Sequence, residues 1–533
     1  MTDVANGQGG APRVDATRVP GLDEMLGGGL PRGALTLVVG PPGSGKTTLA
    51  TQLAFAAARS GRRVLILTAY SEPTAKLVGH LRGFTFFDED LLGAQIQVLS
   101  LQQFLTQGLD AAAVEIIAEA RRLRVSLVVL DGFRGIRAAN SDPQEARAFL
   151  YEVGTALSVL GATTLITSEA EPRDTALFPE STVADVLIGI HYRLDDVRAR
   201  RGIEAIKVRG AAPLPGLHSL TLNANGATIA LRLEARVIAA AHASDDDHDD
   251  APSLTGPTNT PIPFGLPELD AILGGGLTHA TPTLVLGSPG TGKTLLGLHF
   301  ALAGVAAGEP VVFLGFQETR AELLIKANAF DLGLRLRRAL APDGLFTLLR
   351  QPPVERDADI LADELLAALD RTGARRLVVD TVSGLERTVR ETSDRWREAN
   401  YLGALVEALR TRGVTTLFLK GTDALVTADL SLRADLVSVM AANVLWLQQV
   451  TYRERLHRVL SAPKMRFSAH DTTLREFTIA APEGLRVLAP VESANGVLVG
   501  IARSQVSDTG PIRMRDASAS TVPTGGSPAP ENL

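Results

Sequence analysis

Two tandem α/β domains, each a mostly parallel β-sheet flanked by helices, are what the sequence predicts, and three observations carry that prediction. The 533 residues exceed one ordinary domain and suit two, and 45% hydrophobic content is enough for two cores. The chain also repeats itself. PGLDEMLGGGLPRGALTLVVGPPGSGKTTLA (Pro20–Ala50) returns as FGLPELDAILGGGLTHATPTLVLGSPGTGKTLLG (Phe264–Gly297), with Gly287 falling 247 positions after Gly40. Finally, short runs such as TLVVG, VLILT, IQVLSL, SLVVLD and TTLITS alternate with longer helical stretches such as KTTLATQLAFAAAR and AAAVEIIAEARRL. Continuous β-branched and aliphatic runs separated by helices indicate parallel strands buried on both faces.

The repeat fixes the expected boundaries. Residues 1–13 read as disordered, 14–237 as the first domain, 238–257 as an acidic and Pro/Thr-rich linker, 258–487 as the second domain, and 488–533 as a largely disordered tail. Further correspondences keep the same order in both copies: SEP (Ser71–Pro73) with QET (Gln317–Thr319), LVVLDG (Leu127–Gly132) with LVVDTVSG (Leu377–Gly384), and KVR (Lys207–Arg209) with KMR (Lys464–Arg466).

Composition removes several functional classes. Cysteine is absent, which excludes a disulfide framework, thiolate metal sites and a cysteine nucleophile. A net charge of −6 argues against a dedicated duplex binder, which needs a basic excess. Clusters such as Arg193–Gly202 and Arg453–Arg458 are interrupted by acids or lack interleaved aromatics, so nucleic acid is not the expected partner. No window is apolar enough for a membrane span, and the expected location is the cytoplasm.

Each copy carries a complete phosphate-loop pattern, G-x-x-x-x-G-K-[ST], between an apolar strand and a helix. In the first, Gly40, Gly43, Ser44, Gly45, Lys46, Thr47 and Thr48 are the candidate ATP ligands; in the second they are Gly287, Gly290, Thr291, Gly292, Lys293, Thr294 and Leu295. The glycines let backbone N–H groups turn inward on the β-phosphate, and the following helix adds its positive end. Lys46 and Lys293 are expected on the β- and γ-phosphates, and the Thr47 and Thr294 hydroxyls on Mg²⁺. Asp131 and Asp380 close the LVVLD and LVVD strands, where a carboxylate holds the magnesium shell.

Hydrolysis needs a group to orient or deprotonate water. Glu72 and Glu318 stand at the tip of the next strand in each copy; capping the following helix is the other reading of these acids. Lys207 with Arg209, and Lys464 with Arg466, alternate on strand-like segments, so each pair shares one face. A solvated strand face is their alternative reading. Only seven of the 53 basic residues are lysine, and four of them are Lys46, Lys207, Lys293 and Lys464.

The GGGLP-type lead-in, the phosphate loop, the tip glutamate, the strand-end aspartate and the K-x-R segment together resemble the KaiC family of tandem RecA-fold ATPases, over roughly 14–237 and 258–487. That family carries a Glu-Glu pair at the tip; here Ser71 and Gln317 replace the first member, which implies slow turnover. The resemblance implies a homohexamer in which the K-x-R cations enter a neighbour's nucleotide site, so that a monomer is nearly inactive. It also implies ATP and Mg²⁺ as cofactors, Glu318 beside the metal, Ser468 and His470 near the second nucleotide, and signalling proteins as partners. By the same resemblance Ser438 matches the serine of an autophosphorylated Ser-Thr pair, while Val439 replaces the threonine, leaving a one-site Ser/Thr autokinase in the second domain as the expectation. Two other readings stay open: a DNA-directed recombinase or motor of the RecA/RadA type, stimulated by single-stranded DNA, and a scaffold that binds ATP with little turnover.

Overall fold

The computed structural model describes residues 14–68, 74–133, 136, 143–173, 179–195, 197–245, 260–352, 356–392, 397–422, 441–452 and 455–490. The chain opens with a short antiparallel pair, β1 (Val14–Asp15) and β2 (Leu30–Pro31). The first large sheet holds β3 (Leu35–Gly40), β4 (Val64–Thr68), β5 (Ile96–Ser100), β6 (Leu127–Asp131), β7 (Thr163–Glu169), β8 (Val186–Asp195), β9 (Arg198–Val208), β10 (His218–Asn223) and β11 (Gly226–Ala230). Their order is β11-β10-β9-β8-β3-β7-β6-β4-β5. From β5 to β8 the pairings are parallel; β8 to β11 continue as antiparallel hairpins.

The second sheet repeats the plan with β12 (Pro282–Gly287), β13 (Val311–Gly315), β14 (Phe346–Arg350), β15 (Arg376–Asp380), β16 (Thr415–Gly421), β17 (Asn443–Tyr452), β18 (Arg455–Met465), β19 (Arg475–Ala480) and β20 (Gly484–Pro490). The order is β14-β13-β15-β16-β12-β17-β18-β19-β20. The predicted α/β class holds, and the duplication extends to strand order. In each sheet the strand leading into the phosphate loop is central, buried on both faces, with a core cluster on either side. Crossover helices therefore bring every loop that follows a parallel strand to one edge, where α/β sheets bind ligands.

The stretch read as linker begins as structure. The helix Leu233–Asp245 runs past the expected boundary at 238, because AAAHA favours helix and the helix has a surface to cover. Leu233 and Val237 join a core cluster of the second domain. Its polar residues reach the same domain: Arg397 donates to Glu234 at 2.8 and 2.9 Å and to Asp359 at 2.5 Å, Leu233 N donates to Asp359 Oδ1, and Arg236 pairs with Asp363 at 2.6 Å. Burial pushes the Asp359 carboxyl up to about 6, although Arg397 pulls it back. Among the described residues no helix is long and apolar enough to cross a membrane.

The antiparallel part of the first sheet contains a buried histidine–glutamate pair capped by an exposed arginine. His191 on β8 lies 2.7 Å from Glu204 on β9, and Arg173 forks onto the same carboxylate at 3.2 and 3.3 Å. The His191 bond, followed by Arg173, holds Glu204 down at about 2 in spite of burial. An unfolded glutamate titrates near 4.3, so the cluster stabilises the fold above that pH and loses its contribution as pH falls towards 2. Glu204→Gln is expected to cost about 2 kcal/mol at neutral pH and to flatten the acid limb of the first domain's urea midpoint, measured from about pH 7 down to about pH 2.

Candidate nucleotide sites

The two phosphate loops match in their local chemistry. Gly45 and Gly292 precede the helices Lys46–Arg59 and Lys293–Ala306 in the left-handed region, with φ of 105° and 92°. A Cβ on Gly45 would lie 2.4 Å from Leu222 Cδ1, and one on Gly292 would lie 2.5 Å from Ile479 Cδ1. The left-handed backbone demands glycine at these positions, and the ends of the Leu222 and Ile479 side chains fill the space that a Cβ would take. Lys46 Nζ donates to the carbonyls of Gly40 and Pro41, both at 2.9 Å. Lys293 Nζ donates likewise to Gly287 at 2.7 Å and Ser288 at 2.9 Å. Burial lowers the pKa of both ammonium groups, and nearby acids oppose it: Glu169 and Asp131 for Lys46, Asp380 for Lys293. Leu295 packs its side chain into the core, so only its backbone faces the loop.

The strand-end acids sit beside the loop threonines. Thr47 Oγ1 donates to Asp131 Oδ1 at 3.2 Å, and Thr167 on the neighbouring strand donates to the same oxygen at 2.6 Å. In the second domain Thr294 bonds Asp380, whose carboxyl is pushed up to about 6 by burial and then by Glu318. Asp380 Oδ2 is buried without a hydrogen-bond partner. A threonine hydroxyl against a carboxylate with a spare buried oxygen suits a hard divalent cation that brings phosphate and water as its other ligands. Among the described residues there is no cluster of three or more His, Asp or Glu to hold a metal by protein groups alone.

Glu318 follows β13, whose Gly315 pairs with Asp380 in β15, so the tip acid and the strand-end acid share one edge. Its carboxylate is 2.5 Å from Lys326 Nζ. Glu72 and Ser438 lie outside the described residues. His470 Nδ1 sits 3.4 Å from the Ser468 carbonyl, and both His470 Nε2 and Ser468 Oγ are buried without partners.

The K-x-R pairs are at the other end of each sheet. Arg209 N bonds the Asp185 carbonyl, and Asp185 N bonds Leu35 O at the start of β3, whereas the phosphate loop leaves β3 at Gly40. The second domain repeats this through Arg466, Ala442 and Pro282 at the start of β12. About five residues of strand, about 16 Å, separate Arg209 and Arg466 from the level of the loops, and about three, about 10 Å, separate Lys207 and Lys464, which pair through β8 and β17 with Leu37 and Leu284. The pairs are held differently: Arg209 bonds Asp185 at 3.2 Å, while Ala442 occupies the corresponding place beside Arg466. Lys207 donates to Ala184 O at 2.6 Å. Burial and then the adjacent arginine lower the pKa of Lys207 and of Lys464, so the two cations of each pair lie close together.

Three participants escaped the sequence reading. Thr167 fixes Asp131, Glu169 faces Lys46 from the end of β7, and Lys326 occupies Glu318. The acid ending TTLITSE, at the same sheet edge as Asp131, was the available signal for Glu169.

A family model described as the KaiC ATPase matches residues 16–234 and 262–492, one match over each sheet. The chain belongs to the KaiC ATPase family. It is similar to the circadian clock protein KaiC3 of Synechocystis sp. (strain ATCC 27184 / PCC 6803 / Kazusa), at 28% identity over 91% of this chain and 93% of that one. It is also similar to the circadian clock oscillator protein KaiC of Picosynechococcus sp. (strain ATCC 27264 / PCC 7002 / PR-6), at 26% identity over 87% of each chain. The KaiC of Synechococcus elongatus (strain ATCC 33912 / PCC 7942 / FACHB-805) is 25% identical over 87% of each. KaiC membership makes the chain a tandem-domain KaiC-family ATPase.

Proposed function

We propose that this KaiC-family protein is a cytoplasmic, slow, Mg²⁺-dependent regulatory ATPase whose nucleotide sites are completed by a neighbouring copy, in a homohexamer. One observation carries the reading: the arginine of each K-x-R pair stands about 16 Å of strand, and the lysine about 10 Å, away from its own phosphate loop. Cations at that edge serve a phosphate in the next subunit more readily than their own. Arg147, exposed Tyr151 and exposed Val159 line or flank a hollow of about 400 Å³ that includes Arg209, a surface suited to burial against another copy.

In this reading, the loop N–H groups with Lys46 and Lys293 bind the phosphates, while Thr47 with Asp131 and Thr294 with Asp380 hold the cation. Magnesium bound with the nucleotide would neutralise charge on the β- and γ-phosphates. Glu72 and Glu318 orient the attacking water and accept its proton, and the neighbour's Lys207–Arg209 or Lys464–Arg466 stabilises the transition-state charge. Arg466→Ala is expected to keep ATP binding and lose about 10³ in the second-domain turnover, read by phosphate release against nucleotide retention. Equal turnover in the variant would remove the finger role.

Ser438 is the proposed acceptor for autophosphorylation in the second domain. The proposal rests on family resemblance and on the second-domain pair Ser468–His470. Incubation with γ-labelled ATP tests it: the label should stay with wild type and vanish from Ser438→Ala.

A further inference from the structure

The second domain contains an ion pair that the proposed mechanism does not use. Glu318 Oε1 and Lys326 Nζ are 2.5 Å apart, with the carboxylate 16% exposed and the ammonium 51% exposed. The local structure explains the meeting. Thr319 caps the helix Arg320–Asn328 with a full capping box, its hydroxyl taking Glu322 N at 3.2 Å while its own N–H gives to Glu322 Oε2 at 2.7 Å. The helix axis is thereby fixed directly after Glu318. Lys326 is about two full turns beyond the cap, so it stands above the cap on the same face. Helical side chains lean towards the N-terminus, which carries the lysine stem back down to Glu318.

The setting makes this more than a surface contact. Glu318 is near enough to Asp380 to oppose its ionisation, and Lys326 acts on Asp380 in the opposite sense. With Gln317 at the other tip position, Glu318 is the single charge there, and Lys326 neutralises it. In a chain with seven lysines among 53 basic residues, a lysine at this place is a marked choice over arginine. A compact ammonium on a flexible stem can let go more easily than a forked guanidinium. The corresponding position in the first domain, 246 residues earlier, is His80.

We propose that Lys326 is a positioning residue of the second domain, whose ammonium holds the Glu318 carboxylate against the helix Arg320–Asn328 and out of reach of the attacking water. This rests on the reading of Glu318 as the group that acts on water. While the ammonium pairs with one carboxylate oxygen, the carboxylate is a weaker acceptor and is tied to the helix instead of to the water whose proton it has to accept. Turnover in this domain then waits for the lysine to release its partner, so the pair sets a slow rate without weakening nucleotide binding.

The test uses the full chain with ATP and Mg²⁺, carrying Glu72→Gln so that phosphate release reports the second domain. Lys326→Met is expected to raise kcat about three- to tenfold with KM changed less than about twofold, and Lys326→Arg to hold kcat at or below the parent rate. Glu318→Gln is expected to lower kcat by about 10² or more, and adding Lys326→Met to it should recover nothing. The proposal is overturned if Lys326→Met leaves kcat unchanged or lowers it while Glu318→Gln still abolishes turnover; that result assigns Lys326 a purely structural role and spares the reading of Glu318. Unchanged turnover in Glu318→Gln overturns both together.

Discussion

Lys293→Ala is expected to empty the second nucleotide site while the first stays loaded, and Lys46→Ala to do the converse. The ammonium of each lysine is enclosed by the loop and placed by Gly287 and Ser288, or by Gly40 and Pro41, at the mouth of a helix N-terminus. Removing it deletes charge-assisted bonds to two phosphates and leaves their charge facing the loop N–H groups alone. Such bonds contribute about 1.5–3 kcal/mol each, so a loss of about 10² or more in affinity follows. The alanine itself fits, because both lysines open helices and alanine favours helix. Counting bound nucleotide per chain after gel filtration checks it: near two in wild type, near one in each single variant.

Arg397→Ala is expected to undock the helix Leu233–Asp245 from the second domain. Arg397 is the shared cation of Glu234 and Asp359, which are 7% and 2% exposed. Its loss leaves two buried carboxylates together without the cation they share, a change that costs about 3–5 kcal/mol. The sign of the pH dependence follows. A carboxyl already raised to about 6 by burial takes up a proton more readily still when Arg397 is gone, so the folded state binds protons that the unfolded chain does not. The destabilisation should therefore shrink as pH falls towards about 6 and level off below it, where the wild-type carboxyl takes up the proton too. Urea unfolding on either side of that pH, at about pH 5 and about pH 8, with hydrogen exchange across Leu233–Asp245, measures both effects. The triple variant Arg397→Met, Glu234→Gln, Asp359→Asn removes all three charges at once and should return most of the loss.

These two sites show where sequence reading reaches and where it stops. The phosphate loops were legible because their chemistry needs glycine at fixed offsets next to a strand and a helix. The parallel strands were legible because burial on both faces leaves uninterrupted apolar runs. The Arg397 cluster left no such trace: Glu234 and Arg397 are 163 positions apart, and each looks like an ordinary charge on a helix. The start of the linker was misjudged for a related reason. The run DDDHDD dominates its composition, while the helix before it is specified by contacts with another domain. The K-x-R pairs were found as motifs, but their place at the far end of the sheet from their own phosphate loops emerged only from the strand register.

Complementation between two defective chains tests the shared site most directly. One chain carries Lys293→Ala, with its K-x-R pair intact; the other carries Lys464→Ala and Arg466→Ala, with its phosphate loop intact; both carry Glu72→Gln to quiet the first domain. Mixed under conditions that allow subunit exchange, they should release phosphate well above the sum of the two alone, because intact loops then face intact cations. A mixture that assembles yet never exceeds that sum would contradict a site built from two copies.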